Sequence, residues 1–357
     1  MEEKKEIQRK ILNETPNLKA TEDELFSILK IISPGTHFRS ALDGALKIGK
    51  GALIVIENSS LMPLIDGGFR LNAKFSPQRL MELTKLDGAI ILSKDLKRIN
   101  YANVTLTPSA KIKTNETGTR HKAAERTAKQ TGALTIAISE RRKEITVFYK
   151  NIRYALKTTP EILRKASEKI QLLEKQKDLF DKNTDLLNKL ELNNYFSLYQ
   201  AIQVIQKGKI ISNVCEELRK PIIELGKEGT LIKLRVKEIS SGVEKETNYV
   251  IKDYTKTDMK KTISLLEEYS YEELSDDQMI LKALSYDENS QRTPIPGWRI
   301  LSKTNLSESE IASIILDKKC LKDIINPQNN FPNQLDDEKS HKFLEEMKKI
   351  KINQGLF

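Results

Sequence analysis

Apolar positions along this chain change their period from mixed to purely helical near residue 157. Between residues 21 and 49 they recur at helical spacing. Thr21 and Asp23 can cap a helix through EDELFSILKII, which SPG at 33–35 ends. Thr36 can cap a second helix through THFRSALDGALKIG, with Gly49 near its stop. ALIVIE (52–57) and LMPLIDGGF (61–69) are of strand type. In FSPQRLMELTK, Ser76 precedes Pro77 at a first helical position, so a helix starts there. DGAIILS (87–93), RINYANVTLT (98–107), ALTIAIS (133–139) and EITVFYK (144–150) read as further strands. The first and third of these are continuous apolar runs, the pattern of strands buried on both faces. A helix within 115–132 separates the second from the third. Residues 1–157 therefore read as one α/β domain, a mixed sheet flanked by helices.

Beyond 157 the period is helical throughout. Pro160 opens a long stretch with apolar residues at Ile162, Ala166, Ile170, Leu173, Phe180, Leu187 and Leu190, a heptad-like stripe that packs against neighbouring helices. YFSLYQAIQVIQ, ISNVCEELRKPIIEL and KKTISLLEEYS continue the helical texture, so 158–290 reads as an all-helical spine. The polar, Pro- and Gly-bearing SYDENSQRTPIPGW (285–298) suggests a boundary, and 291–357 reads as a small domain of short helices.

Charge sharpens this division. The net +10 is not evenly spread: residues 1–157 carry +11, residues 158–290 carry −3, and residues 291–357 carry +2. A basic domain attracts nucleic acid, a membrane surface or a polyphosphate, and net charge does not choose among them. No apolar run approaches the ~18 residues that span a bilayer, and the charged start MEEKKEIQRK lacks the apolar stretch of a secretory signal. Cys215 and Cys320 stand far apart without a CxxC spacing, which fits inert thiols in a cytoplasmic protein.

The chemistry sits in the basic domain. The helix in NETGTRHKAAERTAKQTG (115–132) carries Arg120, His121 and Lys122 in its first turn. A helix N-terminus is already partly positive and normally recruits acids. Three cationic or ionisable residues there cost stability unless an anion meets them. Gly118 and Thr119 leave free N–H groups at that end, with Thr119 read as the N-cap, and such an end suits phosphate. Asp87 followed by Gly88 and Ala89 opens an apolar strand, where a carboxylate could hold Mg2+ or Mn2+ against phosphate. Ser139 and Arg142 follow another buried strand. Taken singly, each reads equally well as a turn, a cap or a solvated charge. Their convergence in one small domain favours a phosphate site. No Walker A loop, GxGxxG, HExxH or Ser/His/Asp order is present.

LDGAIILS, YANVTLTP, ETGTRHKAAERTAKQTG and AISERRKEIT, in this order and spacing, resemble the diadenylate cyclase domain. SPGTHFRSAL and IDGGFRLNAKFSP extend the likeness over roughly 25–157. The spine, with IIELGKEGTLIKL (222–234), resembles the middle region of the DNA integrity scanning (DisA) branch of that family. The resemblance implies a nucleotidyltransferase that condenses two ATP into cyclic di-AMP and releases two pyrophosphates. The 3′-hydroxyl of one ATP attacks the α-phosphate of the other across two face-to-face domains. Asp87 would then hold metal and help activate the hydroxyl, with Arg120 and His121 also catalytic. Gly88, Ala89 and Leu106 would line the adenosine pocket. Thr119, Arg120, His121, Lys122 and Ala123 would cradle phosphates, with Ser139 and Arg142 adding contacts from the next turn. The resemblance further implies a homo-oligomer in which the spine joins such face-to-face dimers into an octamer.

Two departures from the family pattern stand out. The family's Arg-His-Arg triplet is Arg120-His121-Lys122 here, which keeps the charge but loses a planar fork. The family's C-terminal helix-hairpin-helix grips DNA through a Gly-x-Gly hairpin. The corresponding NNFPNQLDDEKSHKFLEEM (329–347) has no Gly and places Asp336, Asp337 and Glu338 at the turn, so the expectation is a degenerate module with weak, salt-sensitive DNA binding. The alternative functions are a DNA-structure-binding scaffold and a nucleotide sensor with little or no cyclase activity.

Overall fold

The structure, a computed structural model, describes residues 19–287, 294–318, 320–325 and 337–355. The chain divides into two compact units. One comprises the described part of Met1–Lys165 together with Lys220–Leu231; the other comprises Ala166–Arg219 and the described part of Ile232–Phe357.

In the first unit, α1 (Glu22–Ile31) starts at Thr21, whose hydroxyl and the Glu24 carboxylate form a reciprocal capping box. Helix α2 (His37–Ile48) is capped by Thr36 and closed by Gly49 in the left-handed conformation. Helix α3 (Pro77–Leu83) follows the Ser76 cap. The strands are β1 (Ala52–Ile56), β2 (Ile65–Asp66), β3 (Phe69–Lys74), β4 (Ala89–Leu92), β5 (Arg98–Leu106), β6 (Thr135–Ser139), β7 (Glu144–Tyr149) and β8 (Ile152–Ala155). Between β5 and β6 lies α4 (Thr119–Thr131).

The eight strands form one mixed sheet in the order β2-β5-β4-β1-β6-β7-β8, with β3 also paired to β5. Strands β1 and β4 are parallel, and the other pairs are antiparallel. Alternate side chains serve opposite faces. Ile54, Ile90, Leu92, Ile136, Ile138 and Val147 pack on Phe26, Leu29, Phe38, Leu42 and Leu80. Leu53, Val55, Ile91, Ala137 and Phe148 pack on Ala124 and Ala128 of α4. Helices thus cover both faces, which is why β1, β4 and β6 read as unbroken apolar runs. Each fully buried Ile or Leu contributes about 1.5–3 kcal/mol relative to exposure.

Three local expectations change. LMPLIDGGF is not a strand: a single 3-10 turn, Met62–Leu64, and the two-residue β2 occupy it, and Gly67 and Gly68 at positive φ turn the chain into β3. Strand β8 lies where the sequence pattern gave none, because at the sheet edge Ile152, Tyr154 and Ala155 are only half-buried and Arg153 is exposed. Gly118, not Thr119, is the N-cap of α4, and Thr119 is its first helical residue.

The second unit is helical. The long helix α5 (Thr159–Leu192) enters it, and α6 (Leu198–Leu225) joins YFSLYQAIQVIQ and ISNVCEELRKPIIEL into one helix with Pro221 near its end. Then come α7 (Thr230–Ser240), α8 (Val243–Tyr254), α9 (Met259–Glu268), α10 (Tyr271–Ser275), α11 (Asp277–Ala283), α12 (Trp298–Leu301), α13 (Glu308–Lys318), α14 (Leu321–Ile325) and α15 (Asp337–Asn353). Leu192 of α5 shares a core with Ile300, Leu301, Ile311, Ile314, Leu321, Phe343 and Met347. At the heart of this unit Arg299 is wholly buried and pairs with Glu191 at 2.5 Å and Glu246 at 3.0 Å. Asp253 accepts the backbone N–H groups of Gly297, Trp298 and Arg299 at 2.8–3.0 Å. Residues 329–336, which hold most of the expected hairpin, lie outside the described residues.

Candidate functional site

Strand directions gather the predicted residues at one edge of the sheet. Because β1 and β4 run parallel, Gly51 and Asp87–Gly88 precede adjacent strand starts. Because β5 and β6 run antiparallel to them, the ends of those strands, at Leu106 and Ser139, arrive at the same edge. Residues remote in sequence thus meet through register alone.

Asp87 is 97% exposed and accepts a hydrogen bond from Arg120 Nη2 at 3.1 Å. Gly88 has φ +85°, and a Cβ there would lie 2.8 Å from the Asn103 carbonyl carbon and 2.9 Å from the Val104 oxygen. Only glycine fits this bend against β5. Gly51 serves Arg120 in a similar way, since a Cβ on it would stand 2.8 Å from Nη1. The guanidinium therefore lies across the start of β1 and reaches the start of β4.

The N-terminus of α4 is left open. Gly118 offers no side-chain cap, and no acid occupies the first turn. Thr21, Ser76 and Asp258 cap other helices, and the two further starts at glycine are met by acids, Glu244 and Glu246 in the first turn of α8 and Asp253 on the N–H groups of α12. The segment leading to this open end is laced onto α4 itself. Gln130 accepts the Ser109 N–H at 2.8 Å, Arg126 donates to the Ile112 carbonyl at 3.0 Å, and Lys129 donates to the Lys113 carbonyl at 3.0 Å. Thr114 donates to Glu125 and accepts the Glu116 N–H at 3.1 Å. A segment without secondary structure is fixed by side chains spaced along one helix face.

His121 is buried, edge-on to Phe148 with ring centroids 6.3 Å apart. Its Nε2 has no hydrogen-bond partner among the described residues. Burial pushes its pKa below the usual histidine value, against the pull of Glu116, so the ring is neutral at pH 7. Glu116 is itself buried and binds Arg142 Nη2 at 3.2 Å and Arg153 Nε at 2.5 Å. Burial alone would raise its pKa, but the Arg153 and Arg142 partners outweigh that and hold it low. Ser139 Oγ accepts the Arg142 N–H at 3.1 Å, which ties the β6–β7 turn.

The structure therefore joins Asp87 with Arg120, and Ser139 with Arg142. It sets Leu106 and Ala123 half-buried on the apolar cluster beneath α4, and leaves Lys122 half-exposed. Ala89 is fully buried in that cluster. Gly51, Glu116 and Arg153 carry no sequence signal of a role. A loop acid and a strand arginine read as solvated charges, and Arg153 lies on the strand the pattern did not show.

A family model described as DisA bacterial checkpoint controller nucleotide-binding matches residues 39–152, and one described as DisA bacterial checkpoint controller linker region matches residues 156–293. The chain belongs to the DisA family. Its nucleotide-binding domain is the first unit's sheet domain, and the helical region after it corresponds to the family's linker. The DNA integrity scanning protein DisA of Clostridium kluyveri is 43% identical over 239 residues, covering 67% of this chain and 68% of that protein. The one from Bacillus subtilis is 44% identical over 238 residues, covering 66% of each. DacA from Staphylococcus aureus, a solved structure, is 26% identical and covers 39% of this chain and 91% of that chain, with a TM-score of 0.30. The family is that of the diadenylate cyclases, and among the described residues no helix is long and apolar enough to cross a membrane.

Proposed function

We propose that this chain condenses two ATP into cyclic di-AMP with release of two pyrophosphates. The observation that carries this reading is the Asp87–Arg120 pair at 3.1 Å, set beside the uncapped N-terminus of α4. One carboxylate and one guanidinium face solvent at an end suited to an anion. The open N–H groups at Gly118 and Thr119, with Arg120, Lys122 and Arg142, would hold the triphosphate. Gly88 and Leu106 would form the floor under the adenosine, with Ala89 buried behind them, and Ala123 would let the chain of phosphates lie close to the helix. The orphaned His121 Nε2 is an unmet hydrogen-bonding valence in the same layer.

Mg2+ or Mn2+ fits the donor set. Asp87 is almost fully exposed, and Arg120 engages one of its oxygens. Among the described residues no three His, Cys, Asp or Glu side chains cluster as a complete metal site. A hard cation held by one carboxylate would complete its shell with phosphate oxygens and water, the usual arrangement for Mg2+ in phosphoryl transfer. When bound, the ion would offset charge developing on the phosphate oxygens.

In each half-reaction the 3′-oxygen forms a bond to the α-phosphorus of the facing nucleotide, and the bond to pyrophosphate breaks. The hydroxyl proton passes to a carboxylate oxygen of Asp87. Arg120 orients that carboxylate and faces the negative charge. One domain presents one nucleotide, so the reaction needs two chains face to face, as a homo-oligomer.

The test is direct. Purified protein with ATP and Mg2+ or Mn2+ should yield cyclic di-AMP by mass. Asp87→Asn should lower turnover by about 10²-fold or more, the scale of losing one preorganised charge at a reacting centre, with an unchanged melting temperature. Nucleotide binding without product would overturn the cyclase reading and leave a sensor.

A further inference from the structure

We propose that Glu116 is the positioning residue of the phosphate cradle, acting by holding Arg142 in place before ATP arrives. The inference rests on the cyclase reading and concerns a residue to which neither the motif nor the resemblance gives a role.

A carboxylate beside a triphosphate site needs an explanation, since it repels the ligand. Glu116 is two residues ahead of the Gly118 cap, and its side chain is only 7% exposed. Both of its oxygens are committed: one to Arg142 Nη2 at 3.2 Å, the other to Arg153 Nε at 2.5 Å. These partners come from the β6–β7 turn and from β8, two elements separate from the loop that carries Glu116. Its backbone N–H is fixed as well, on Thr114 Oγ1 at 3.1 Å. Glu116 is thus a pin joining three pieces of chain at the mouth of α4.

The pin leaves the acid fully matched: Arg142 and Arg153 both hold Glu116, and Arg153 also reaches Glu144 at 4.0 Å, so no carboxylate charge in this cluster is left without a guanidinium partner. It uses one of five guanidinium N–H donors on Arg142, whose side chain stays 45% exposed. With the side chain nearly half exposed, solvent can reach the guanidinium while Glu116 holds it. An arginine fixed before binding loses less rotamer freedom when the ligand arrives, so the pin lowers the cost of binding ATP without touching it. The carboxylate is buried by the chain, which keeps the acid off the nucleotide and on its arginines.

The experiment measures KM for ATP, kcat, and the Kd of 3′-deoxy-ATP, which lacks the attacking hydroxyl. Glu116→Gln keeps the shape and removes the charge. It should raise KM and Kd together by roughly tenfold, the order of one charge-assisted contact, with kcat little changed. In an Arg142→Ala background the same substitution should add nothing, because its effect runs through Arg142. A purely structural role would lower the melting temperature and leave the KM-to-kcat split unmoved. If Glu116→Gln does not fold, Arg153→Gln takes its place: it loosens the second arm of the pin and should raise KM in the same way, again only when Arg142 is present. An unchanged KM in the folded variant, or effects that multiply in the double variant, would overturn the proposal. A wild type that binds 3′-deoxy-ATP yet makes no cyclic di-AMP would remove the cyclase reading while the Kd comparison still decides this one.

Discussion

Lys122 is the residue where this chain leaves its family's triplet, and it sits half-exposed in the first turn of α4. A lysine presents a point charge where arginine presents a fork. If it meets phosphate, Lys122→Arg should keep or raise turnover, while Lys122→Ala should lower kcat/KM by about tenfold or more, the size of a lost charge-assisted hydrogen bond. Steady-state rates for the three proteins check this, and equal rates would place Lys122 in solvent. A second residue couples pH to stability. Burial pushes the Glu224 acid up to about 7, with Arg39 opposing. The folded state then holds its proton more tightly than the unfolded chain does. That contribution favours folding fully below about 4.5 and is lost as pH rises through about 7. Glu224→Gln should therefore match the wild type near pH 4.5 and exceed its stability above pH 7 by about 3 kcal/mol, read by urea unfolding at both values.

At the level of elements, the start of α4 stands apart from the capped helix starts. Thr21 with Glu24 and Ser270 with Glu273 form complete capping boxes. The start of α4 has a bare Gly118 and three cationic or ionisable side chains. The capping boxes stabilise their own helices, whereas the start of α4 forgoes that and leaves N–H groups that suit an anion. Strand starts show the same division. Gly88 takes φ +85° where its neighbours on β5 leave no space for a Cβ. Gly88→Ala should cost at least about 1–3 kcal/mol of strain and swing Asp87 away from Arg120. A lower melting temperature together with loss of product is the expected result, and retained product would show that the bend relaxes harmlessly.

Across the whole molecule, the C-terminal stretch is bound into the second unit by charge as well as by apolar packing. A cut at residue 291 would remove Arg299 and leave Glu191 and Glu246 without their buried cation. It would also strip the three N–H donors from Asp253. Breaking a buried pair from one side is costly, so Arg299→Ala should destabilise the protein by about 3–5 kcal/mol, seen as a fall in the urea midpoint. A shift near zero would mean that water enters and solvates the two acids. DNA binding is therefore better tested on the intact chain across a salt series than by truncation.

The sequence by itself determined the period of most elements, several helix starts, the apolar strands of the sheet and the excess positive charge of the first domain. These are local properties: a cap, a run of Ile and Val, or a Pro after a Ser acts through its near neighbours. It also marked Asp87, Arg120, Ser139 and Arg142 as candidates, because their motifs are contiguous. Tertiary structure alone decided which of them meet. The parallel pairing of β1 with β4 brings Gly51 to Arg120 and Arg120 to Asp87, and the edge strand β8 brings Arg153 to Glu116. It also decided that His121 is buried and neutral, since the Phe148 that covers it is 27 residues away in the chain. Contacts between charges far apart in sequence leave no periodic trace, because a single ion pair constrains neither the residues beside it nor their spacing.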